Sequence, residues 1–356
     1  MMDVNIVGGG VIGLSIAYEL AQQGLSVAVF DRQQFGKEAS WAGAGMLPPA
    51  DFKSAATPEI QLRAASKTMW ADWSSRLKEE SGIDNGFINC GGLHVATGDD
   101  IAGWKQYVSE WRQSGAIVEE CEPTSLSETA PFLSQEVHAA FYLPEMSQVR
   151  NPRHLKALLA ACAHKGVQLK SGTPIIGFEV EGSKITGIRT SSEIFRAGRT
   201  VIAGGAWSPE VLDCLGIRCE VVPIQGQIVL LSMHQLPFRQ VIECGSRYLV
   251  PRSDGKILIG STESNVGFNK ENTAEGVGGL LQFAQSIVPC LKEATFECAW
   301  AGLRPRSIDG LPYLGYVADY ENLLMAAGHY RDGLQLSPIT ARLIRQLICG
   351  ETTDLS

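Results

Sequence analysis

The sequence lacks the cysteine patterns and the basic charge that mark several classes of protein. Its nine cysteines are odd in number and form no C-x-x-C pair or zinc-type cluster. Most have apolar neighbours, where cysteine acts as a small hydrophobe, so we expect a reduced protein without a disulfide scaffold or a metal site. Acidic residues outnumber basic ones, 38 to 30, and the net charge of −8 argues against a nucleic acid or an anionic lipid surface as a partner.

We expect neither a membrane-spanning segment nor a targeting segment. The chain contains no run of about 18 apolar residues, so we expect no membrane span. A strand-like apolar run begins at about the fourth residue and leaves no room for a cleaved signal peptide, which favours a cytoplasmic location. The 356 residues, of which 45% are hydrophobic and 19% charged, suit an ordinary globular protein with enough apolar material for two domains.

The segment from Val4 to Asp31 carries the most informative motif, G-x-G-x-x-G between an apolar strand and an apolar-periodic helix. In this setting Gly8 permits a tight turn, Gly10 lets the backbone approach a pyrophosphate, and Gly13 lets the helix pack close to the sheet. The helix N-terminus adds free N–H groups and a positive dipole end. Asp31 ends the second strand and can accept hydrogen bonds from ribose hydroxyls. The motif predicts a bound dinucleotide, and it leaves NAD and FAD open.

Two further stretches are rich in small residues. Residues 39 to 49 contain alanine and glycine with no charge, and an apolar strand at 201 to 208 runs into glycines. Both suit a close approach of backbone to a flat ligand, although a buried connecting loop explains the first equally well. Since cofactor-type pieces lie near the start, middle and end of the chain, we expect interleaved domains.

Apolar periodicity also predicts secondary structure between these pieces. Helices are expected at 56–82, 99–115 (with Asp99 or Asp100 as the cap), 151–164 and 273–288, followed by a closing helix that ends at Leu347. Residues 87–96 are expected to form two short strands about a Gly-Gly turn.

Six segments together resemble the D-amino acid oxidase (DAO) family of FAD-dependent amine oxidoreductases, and within it the branch that oxidises glycine for thiamine biosynthesis. They read IVGGGVIGLSIAYEL, ASWAGAGMLPP, TVIAGGAWS, RYLVPRSDGKILIGST, WAGLRPRSIDGLPYLG and AAGHYRDGLQLSP, in the family's order over essentially the whole chain. The resemblance implies non-covalent FAD and oxidation of an amino acid at its Cα–N bond.

The resemblance also implies a fold and its division. We expect an α/β protein with a Rossmann-like FAD-binding domain, interleaved with a smaller antiparallel-sheet substrate domain. The FAD-binding domain is expected at 1–85, 145–218 and 300–356, and the substrate domain at 86–144 and 219–299.

Family positions assign a set of cofactor-binding residues. The pyrophosphate would meet Gly8, Gly10, Val11, Ile12 and Gly13; the ribose and adenine would meet Asp31, Arg32 and Ile175; the flavin would meet Ser40, Ala44, Gly45, Met46 and the run His329, Tyr330, Arg331, Asp332, Gly333, Leu334 and Gln335. Backbone N–H groups of that run and the start of the last helix can stabilise negative charge on a reduced flavin.

The resemblance assigns catalytic roles to four side chains. Arg304 would grip the substrate carboxylate, because a planar guanidinium can donate two parallel hydrogen bonds, and the Tyr248 hydroxyl would assist it. Met46 would also face the substrate. Arg331 is left open between a contact with substrate or flavin and a brace for its own loop.

Two positions depart from the family pattern, and several histidines match nothing in it. Ser246 stands where the family can have histidine, and Glu263 stands where it can have methionine. Glu263 could attract the substrate amine, exclude bulky apolar side chains, or be a solvated strand residue. His94, His138, His154 and His164 are expected on surfaces or in ordinary packing.

Three functions remain open from the sequence. The first is an oxidase of glycine or another small amino acid (sarcosine, small D-amino acids), using oxygen and releasing hydrogen peroxide. The second is a D-amino acid dehydrogenase with another electron acceptor, and the third is a non-catalytic flavin-binding subunit. Assembly into a homo-oligomer is left open.

Overall fold

The structure is a computed structural model that describes residues 1–51, 57–98, 101–122 and 126–355, apart from the side chains at 101, 102 and 127. Its helices are α1 (Val11–Gln22), α2 (Ala39–Ala42), α3 (Pro58–Ser81), α4 (Ile101–Gln113), α5 (Leu126–Thr129), α6 (Asn151–His164), α7 (Ser208–Asp213), α8 (Ala274–Ile287) and α9 (Ser337–Cys349).

The strands of the described chain form three sheets. They are β1 (Met2–Val7), β2 (Val27–Phe30), β3 (Met46–Leu47), β4 (Ile88–Asn89), β5 (Gly92–Thr97), β6 (Glu119–Cys121), β7 (Val137–Leu143), β8 (Ser147–Gln148), β9 (Gln168–Lys170), β10 (Gly177–Glu181), β11 (Lys184–Arg189), β12 (Ile194–Ile202), β13 (Val221–Ser232), β14 (Val241–Cys244), β15 (Arg247–Pro251), β16 (Lys256–Gly260), β17 (Thr295–Ser307), β18 (Tyr313–Tyr316) and β19 (Leu323–Ala327).

The first sheet has the parallel core that the glycine motif predicts. Strands β9, β2, β1, β12 and β19 run parallel in that order, with β18 antiparallel on β19 and the β10–β11 hairpin extending β12. All four residues of β2 and all five of β19 are buried, as expected for strands covered on both faces. Helices α1, α6 and α9 pack together on this sheet, so the predicted Rossmann-like fold is confirmed.

The second sheet is almost entirely antiparallel, in the order β17-β13-β16-β15-β14-β5-β7-β6. Its two faces alternate along each strand, since successive side chains point to opposite sides. Val229 and Leu249 pack under α8, whereas Ile228 and Val250 belong to the cluster on the opposite face with α4. The α4 face carries the aromatic residues Trp104, Tyr107 and Trp111.

A third sheet consists of three short strands in the order β3-β8-β4. Two strands occur at 87–96 as predicted, but they do not pair with each other. Strand β4 pairs with β8, while β5 pairs with β7 and β14, so the Gly-Gly turn leads from one sheet into another.

Most predicted helices are present, and two of them have threonine caps that were not predicted. Helix α6 spans the predicted residues 151–164, and Thr57 and Thr273 cap α3 and α8 through their side chains. The last helix extends two residues past the predicted end at Leu347. The candidate caps Asp99 and Asp100 lie outside the described residues.

The predicted domain division stays a prediction, although the strands can be placed against it. The strands of the parallel sheet fall within the segments predicted for cofactor binding. Strand β17 of the antiparallel sheet crosses the predicted boundary at 299/300. Among the described residues, no helix combines the length and the apolar composition required to cross a membrane.

Gly13 provides a test of the packing between α1 and the preceding turn. A Cβ at Gly13 would lie 1.9 Å from the carbonyl oxygen of Gly8. Because backbone rather than a flexible side chain is in the way, we expect Gly13→Ala to lower the free energy of unfolding by about 2 kcal/mol.

The matched control is Gly278→Ala, in the middle of α8, where an added Cβ meets nothing within 4 Å. We expect this variant to gain about 0.5 kcal/mol from helix propensity. Urea denaturation measures both changes. A Gly13→Ala protein as stable as the control would show that the close approach of α1 is not required.

Candidate active site

The predicted site residues converge on one elongated cavity of about 580 Å³ between the parallel and antiparallel sheets. All of them line it except Gly13, which packs α1 against the turn below. The lining continues from Asp31 and Arg32 past the glycine turn to Met46, and on to Tyr248, Arg304 and the run 329–335. One cavity therefore joins a nucleotide-type cradle to a polar end formed by the antiparallel sheet.

The glycine turn provides backbone surface without side chains. Gly8 has φ +114°, and a Cβ there would lie 2.2 Å from the carbonyl oxygen of Ala203 at the end of β12. The first turn of α1 contains no acidic residue, so the positive end of the helix is not neutralised locally. This arrangement fits the pyrophosphate of a dinucleotide, which needs close backbone approach and N–H donors.

Asp31 fixes the glycine turn as well as facing the cavity. Its two carboxylate oxygens accept hydrogen bonds from the N–H groups of Gly9 and Gln33, at 2.8 and 2.9 Å. Burial raises the pKa of the Asp31 carboxyl, and the two backbone N–H groups oppose that effect. The predicted ribose contact would add to this structural role.

Two neighbours of Arg32 were not predicted from the sequence. The guanidinium lies 3.7 Å above the centre of the Trp207 ring and forms a 3.0 Å ion pair with Glu38. Glu38 also binds Lys270 at 3.0 Å, and Trp207 packs against Phe268. Through these contacts, the loop between β16 and α8 lies over the nucleotide end of the cavity.

Ser40 lies nearer to the start of α1 than to the polar end of the cavity. Its Oγ accepts the N–H of Val11 at 2.9 Å, and its carbonyl oxygen accepts a hydrogen bond from the Asn151 side chain at 2.8 Å. Gly45, with φ +72°, would place a Cβ 2.0 Å from the carbonyl oxygen of Val149. The segment predicted to line the flavin is therefore held closely by Val149, which follows β8, and by Asn151 of α6.

Arg252 holds the same segment from the other side and was missed in the sequence. This arginine is 7% exposed and donates hydrogen bonds to the carbonyl oxygens of Ala44 and Val149, at 2.5 and 3.1 Å, and to Gln148 at 2.6 Å. Burial lowers its pKa to about 10, so it still carries its charge at neutral pH. An arginine beside a Ser-Asp-Gly turn gives no sequence signal for such a buried role.

The run 329–335 lines the cavity. The His329 imidazole is buried behind it, 3.0 Å from the Thr340 hydroxyl, and burial lowers its pKa to about 3. Tyr330 has φ +49°, an uncommon conformation for a residue with a side chain, and its N–H donates to Pro305 at 2.8 Å.

Glu263 pairs with this loop. Its carboxylate accepts hydrogen bonds from the Tyr330 hydroxyl and the Arg331 guanidinium, and these contacts lower its pKa. The sequence left open whether Arg331 contacts substrate or flavin or braces its own loop. These contacts show the brace. Glu263 is the other partner in this brace, a role that was not among the three predicted for it.

The end of the run is tied to α3. Asp332 forms a 2.7 Å ion pair with Arg63, and the Gln335 side chain donates to the carbonyl oxygen of Pro48 at 2.8 Å. Trp70 donates its indole N–H to the Gln335 carbonyl at 2.9 Å. Helix α9 itself begins at Ser337, so the turn before it, rather than its first residues, faces the cavity.

Arg304 extends from β17 across the neighbouring strand. A Cβ at Gly226 would lie 2.2 Å from its Nη2, so the guanidinium occupies the space that this glycine leaves free. Nη2 donates to Ser261 Oγ at 2.6 Å and Nη1 to the Thr262 carbonyl at 3.5 Å. Within the described residues Arg304 forms no ion pair with a carboxylate. Its charge is therefore available to a ligand in the cavity.

Tyr248 stands beside Arg304 over a second glycine. It is paired with Gly260 across β15 and β16, and a Cβ at Gly260 would lie 2.3 Å from the phenol oxygen. Burial raises the pKa of the Tyr248 hydroxyl, while Arg304 and Ser261 oppose that effect. The hydroxyl thus keeps its proton at neutral pH and can donate a hydrogen bond.

Comparison with known proteins gives the same family over nearly the whole chain. The family model described as DAO, FAD dependent oxidoreductase, matches residues 3–347. A glycine oxidase of Pseudomonas putida is 34% identical over 350 residues, covering 98% of this chain and 94% of that protein. A bifunctional protein ThiO/ThiG of Nostoc is 34% identical over 357 residues, and the chain spans about half, 53%, of its length.

Among solved structures, the crystal structure of glycine oxidase from Geobacillus kaustophilus superposes with a TM-score of 0.94 at 33% sequence identity. The match covers 100% of this chain and 96% of that one. The arrangement of both sheets is therefore shared with that enzyme.

The buried histidines predict a pH dependence of stability. Burial lowers the pKa of His154 and of His329 to about 3, so the unfolded chain, with pKa values near 6.5, binds these protons first. Stability is therefore lost as the pH falls below about 6.5, by up to about 1.4 kcal/mol per pH unit for each histidine. Urea unfolding between pH 7 and pH 5 measures this slope.

The variant His329→Gln keeps a polar partner for Thr340 and cannot take up the proton, so we expect a shallower slope. His234→Gln, at an exposed position, is the control and should leave the slope unchanged. An equal slope in the wild type and in His329→Gln would rule out this contribution.

Proposed function

The chain belongs to the DAO family of FAD-dependent oxidoreductases, and on that premise we propose that it oxidises glycine or another small amino acid. Amino acid, oxygen and water would be converted to the 2-oxo acid, ammonia and hydrogen peroxide. The observation that carries the proposal is the Arg304 guanidinium, which faces the cavity beside a neutral Tyr248 without a carboxylate partner in the described chain. Relatives of nearly equal length are glycine oxidases.

We propose that FAD is held without a covalent bond along the cavity. The turn at Gly8 to Ile12 would hold the pyrophosphate, Asp31 and Ile175 the adenosine side, and residues 44–46 and 329–335 the flavin. Bound FAD supplies the electron acceptor for a two-electron oxidation. The protein supplies binding, orientation and the electrostatic surroundings.

Orientation is the contribution that Arg304 and Tyr248 can make. Two parallel N–H donors of a guanidinium fix a carboxylate in position and in rotation, and the Tyr248 hydroxyl can donate a further hydrogen bond to it. A substrate held in this way has its Cα–H bond fixed in direction. No side-chain base is required if the amine arrives neutral.

Ser261 completes the support of Arg304. Its Oγ accepts from Nη2 and the Thr262 carbonyl accepts from Nη1, which leaves the remaining N–H groups of the guanidinium for the ligand. Met46 and Ser246 line the same cavity. Oxygen as the acceptor, a place in thiamine biosynthesis, the cytoplasmic location and a homo-oligomer remain predictions.

The experiment that tests the proposal is a substrate panel scored by bleaching of the flavin without oxygen. Glycine, sarcosine, D-alanine, D-proline and L-amino acids are compared, and peroxide is then measured after oxygen is admitted. We expect bleaching by small amino acids followed by stoichiometric peroxide. A yellow protein that none of them bleaches would contradict the proposal, and bleaching without peroxide would favour a different acceptor.

Arg304→Ala tests the carboxylate contact directly. Removing a charge-assisted bidentate partner is expected to raise KM for glycine by about a hundredfold or more, while the flavin absorbance near 450 nm is retained. Arg304→Lys keeps the charge and loses the planar arrangement of donors, so its KM for glycine should lie between those of the wild type and Arg304→Ala. Steady-state kinetics provides the measurement.

Gly226→Ala is a second variant for the same contact, because its Cβ would displace the Arg304 guanidinium without removing the charge. It should raise KM in the same direction, whereas Gly278→Ala in α8 should not. An unchanged KM in both Arg304→Ala and Gly226→Ala would remove this role from Arg304.

A further inference from the structure

The register of the antiparallel sheet aligns a row of side chains on the face that carries α4. Phe141 pairs with His94, His94 with Glu243, Glu243 with Tyr248, and Tyr248 with Gly260. Side chains at paired positions lie on the same face, with Cβ atoms about 5 Å apart. Glu243 is therefore a direct neighbour of Tyr248, on the side away from Gly260 and Arg304.

Glu243 lies at a corner of the cavity that the proposed reaction does not use. Its side chain is 15% exposed and lines the cavity together with Tyr107 and Trp111, both from α4. The two rings stand nearly perpendicular, at 85°, with centres 6.5 Å apart. A carboxylate thus shares this corner with two aromatic rings.

The Glu243 carboxylate contacts a histidine in this corner. His94 Nε2 lies 2.6 Å from Oε2, within ion-pair distance, and the His94 Nδ1 is 3.0 Å from the Tyr107 hydroxyl. Among the described residues no lysine or arginine forms an ion pair with Glu243. His94 is charged only when it is protonated, so this carboxylate, which is largely withdrawn from water, favours a ligand that brings a permanent cation.

The strand order sets Glu243 apart from Arg304. The Arg304 guanidinium lies over Gly226 on β13, and β16 and β15 separate β13 from β14, which carries Glu243. Three strand spacings correspond to about 14 Å between backbones. A ligand held by its carboxylate at Arg304 needs a long side chain to bring a charge near Glu243.

We propose that Glu243, with Tyr107 and Trp111, forms a subsite for the cationic end of a substrate side chain. The substrate class is an amino acid whose side chain ends in an ammonium or guanidinium group. Glu243 supplies the opposite charge, and the aromatic rings supply faces that attract a cation. This subsite rests on the proposed function, because it assumes that the substrate carboxylate is bound at Arg304.

The test compares lysine with norleucine, which has the same carbon chain without the ammonium group. Each enantiomer of both is titrated into FAD-loaded wild type and Glu243→Gln without oxygen, and the apparent Kd is taken from saturation of flavin bleaching. We expect the wild type to prefer lysine by about tenfold or more and Glu243→Gln to lose that preference. Glycine should bind both proteins alike.

Two further variants separate the subsite from a general effect on the fold. Trp111→Leu removes one ring and should weaken the preference for lysine while norleucine is unaffected. Glu297→Gln removes a carboxylate that pairs with Lys256 on β16, outside the cavity lining, and should keep the full preference.

The failures of the two proposals are distinguishable. Equal affinity of the wild type for lysine and norleucine, or an equal loss for both in Glu243→Gln, overturns the subsite while bleaching by glycine still supports the oxidase. If no amino acid bleaches the flavin, the proposed function fails. In that case the Kd values of lysine and norleucine are measured by calorimetry. Tighter binding of lysine supports the subsite, and equal values overturn it.

Discussion

The placement of one guanidinium over one glycine is the contact on which the polar end of the cavity depends. Arg304 can lie flat across β13 only because Gly226 has no side chain, and Tyr248 can lie over β16 only because Gly260 has none. An arginine that is partly withdrawn from water without an opposing carboxylate costs stability unless a ligand supplies the charge. Sites of this kind are typical of anion recognition rather than of structural ion pairs.

Strand β17 connects this end of the cavity to the cofactor side. Trp300 donates its indole N–H to the Ala42 carbonyl at 3.0 Å, and a Cβ at Gly302 would lie 2.5 Å from Ala42. Arg304, two residues further, faces the substrate end, since alternate residues of a strand share a face. A single strand thus positions the loop proposed to line the flavin and the arginine proposed to orient the substrate.

Local sequence patterns predicted those turns and helices whose conformation depends mainly on residues close to one another in the chain. The turn around Gly8 and the helices α6 and α8 follow from glycine conformation and apolar periodicity. The role of Arg304 was predicted from the resemblance of the chain to a family, because no spacing rule places an arginine above a distant glycine.

The parts that were missed depend on register between strands far apart in sequence. Arg252 reaches the carbonyl oxygen of Ala44, 208 positions away, and Glu243 meets His94 only because β14 pairs with β5. The two strands at 87–96 resembled a hairpin, yet each found a better partner in another sheet. Tertiary pairing decides such contacts, and a single sequence does not display it.

The most direct test of the central claim compares two ligands that cannot be oxidised at a Cα–N bond. Glycolate carries the carboxylate that Arg304 is proposed to bind, and glycolamide replaces that group with a neutral amide of similar shape. The account predicts that glycolate shifts the absorbance of the FAD-loaded protein with saturation and competes with glycine, whereas glycolamide does neither. Equal binding of the two ligands would contradict it.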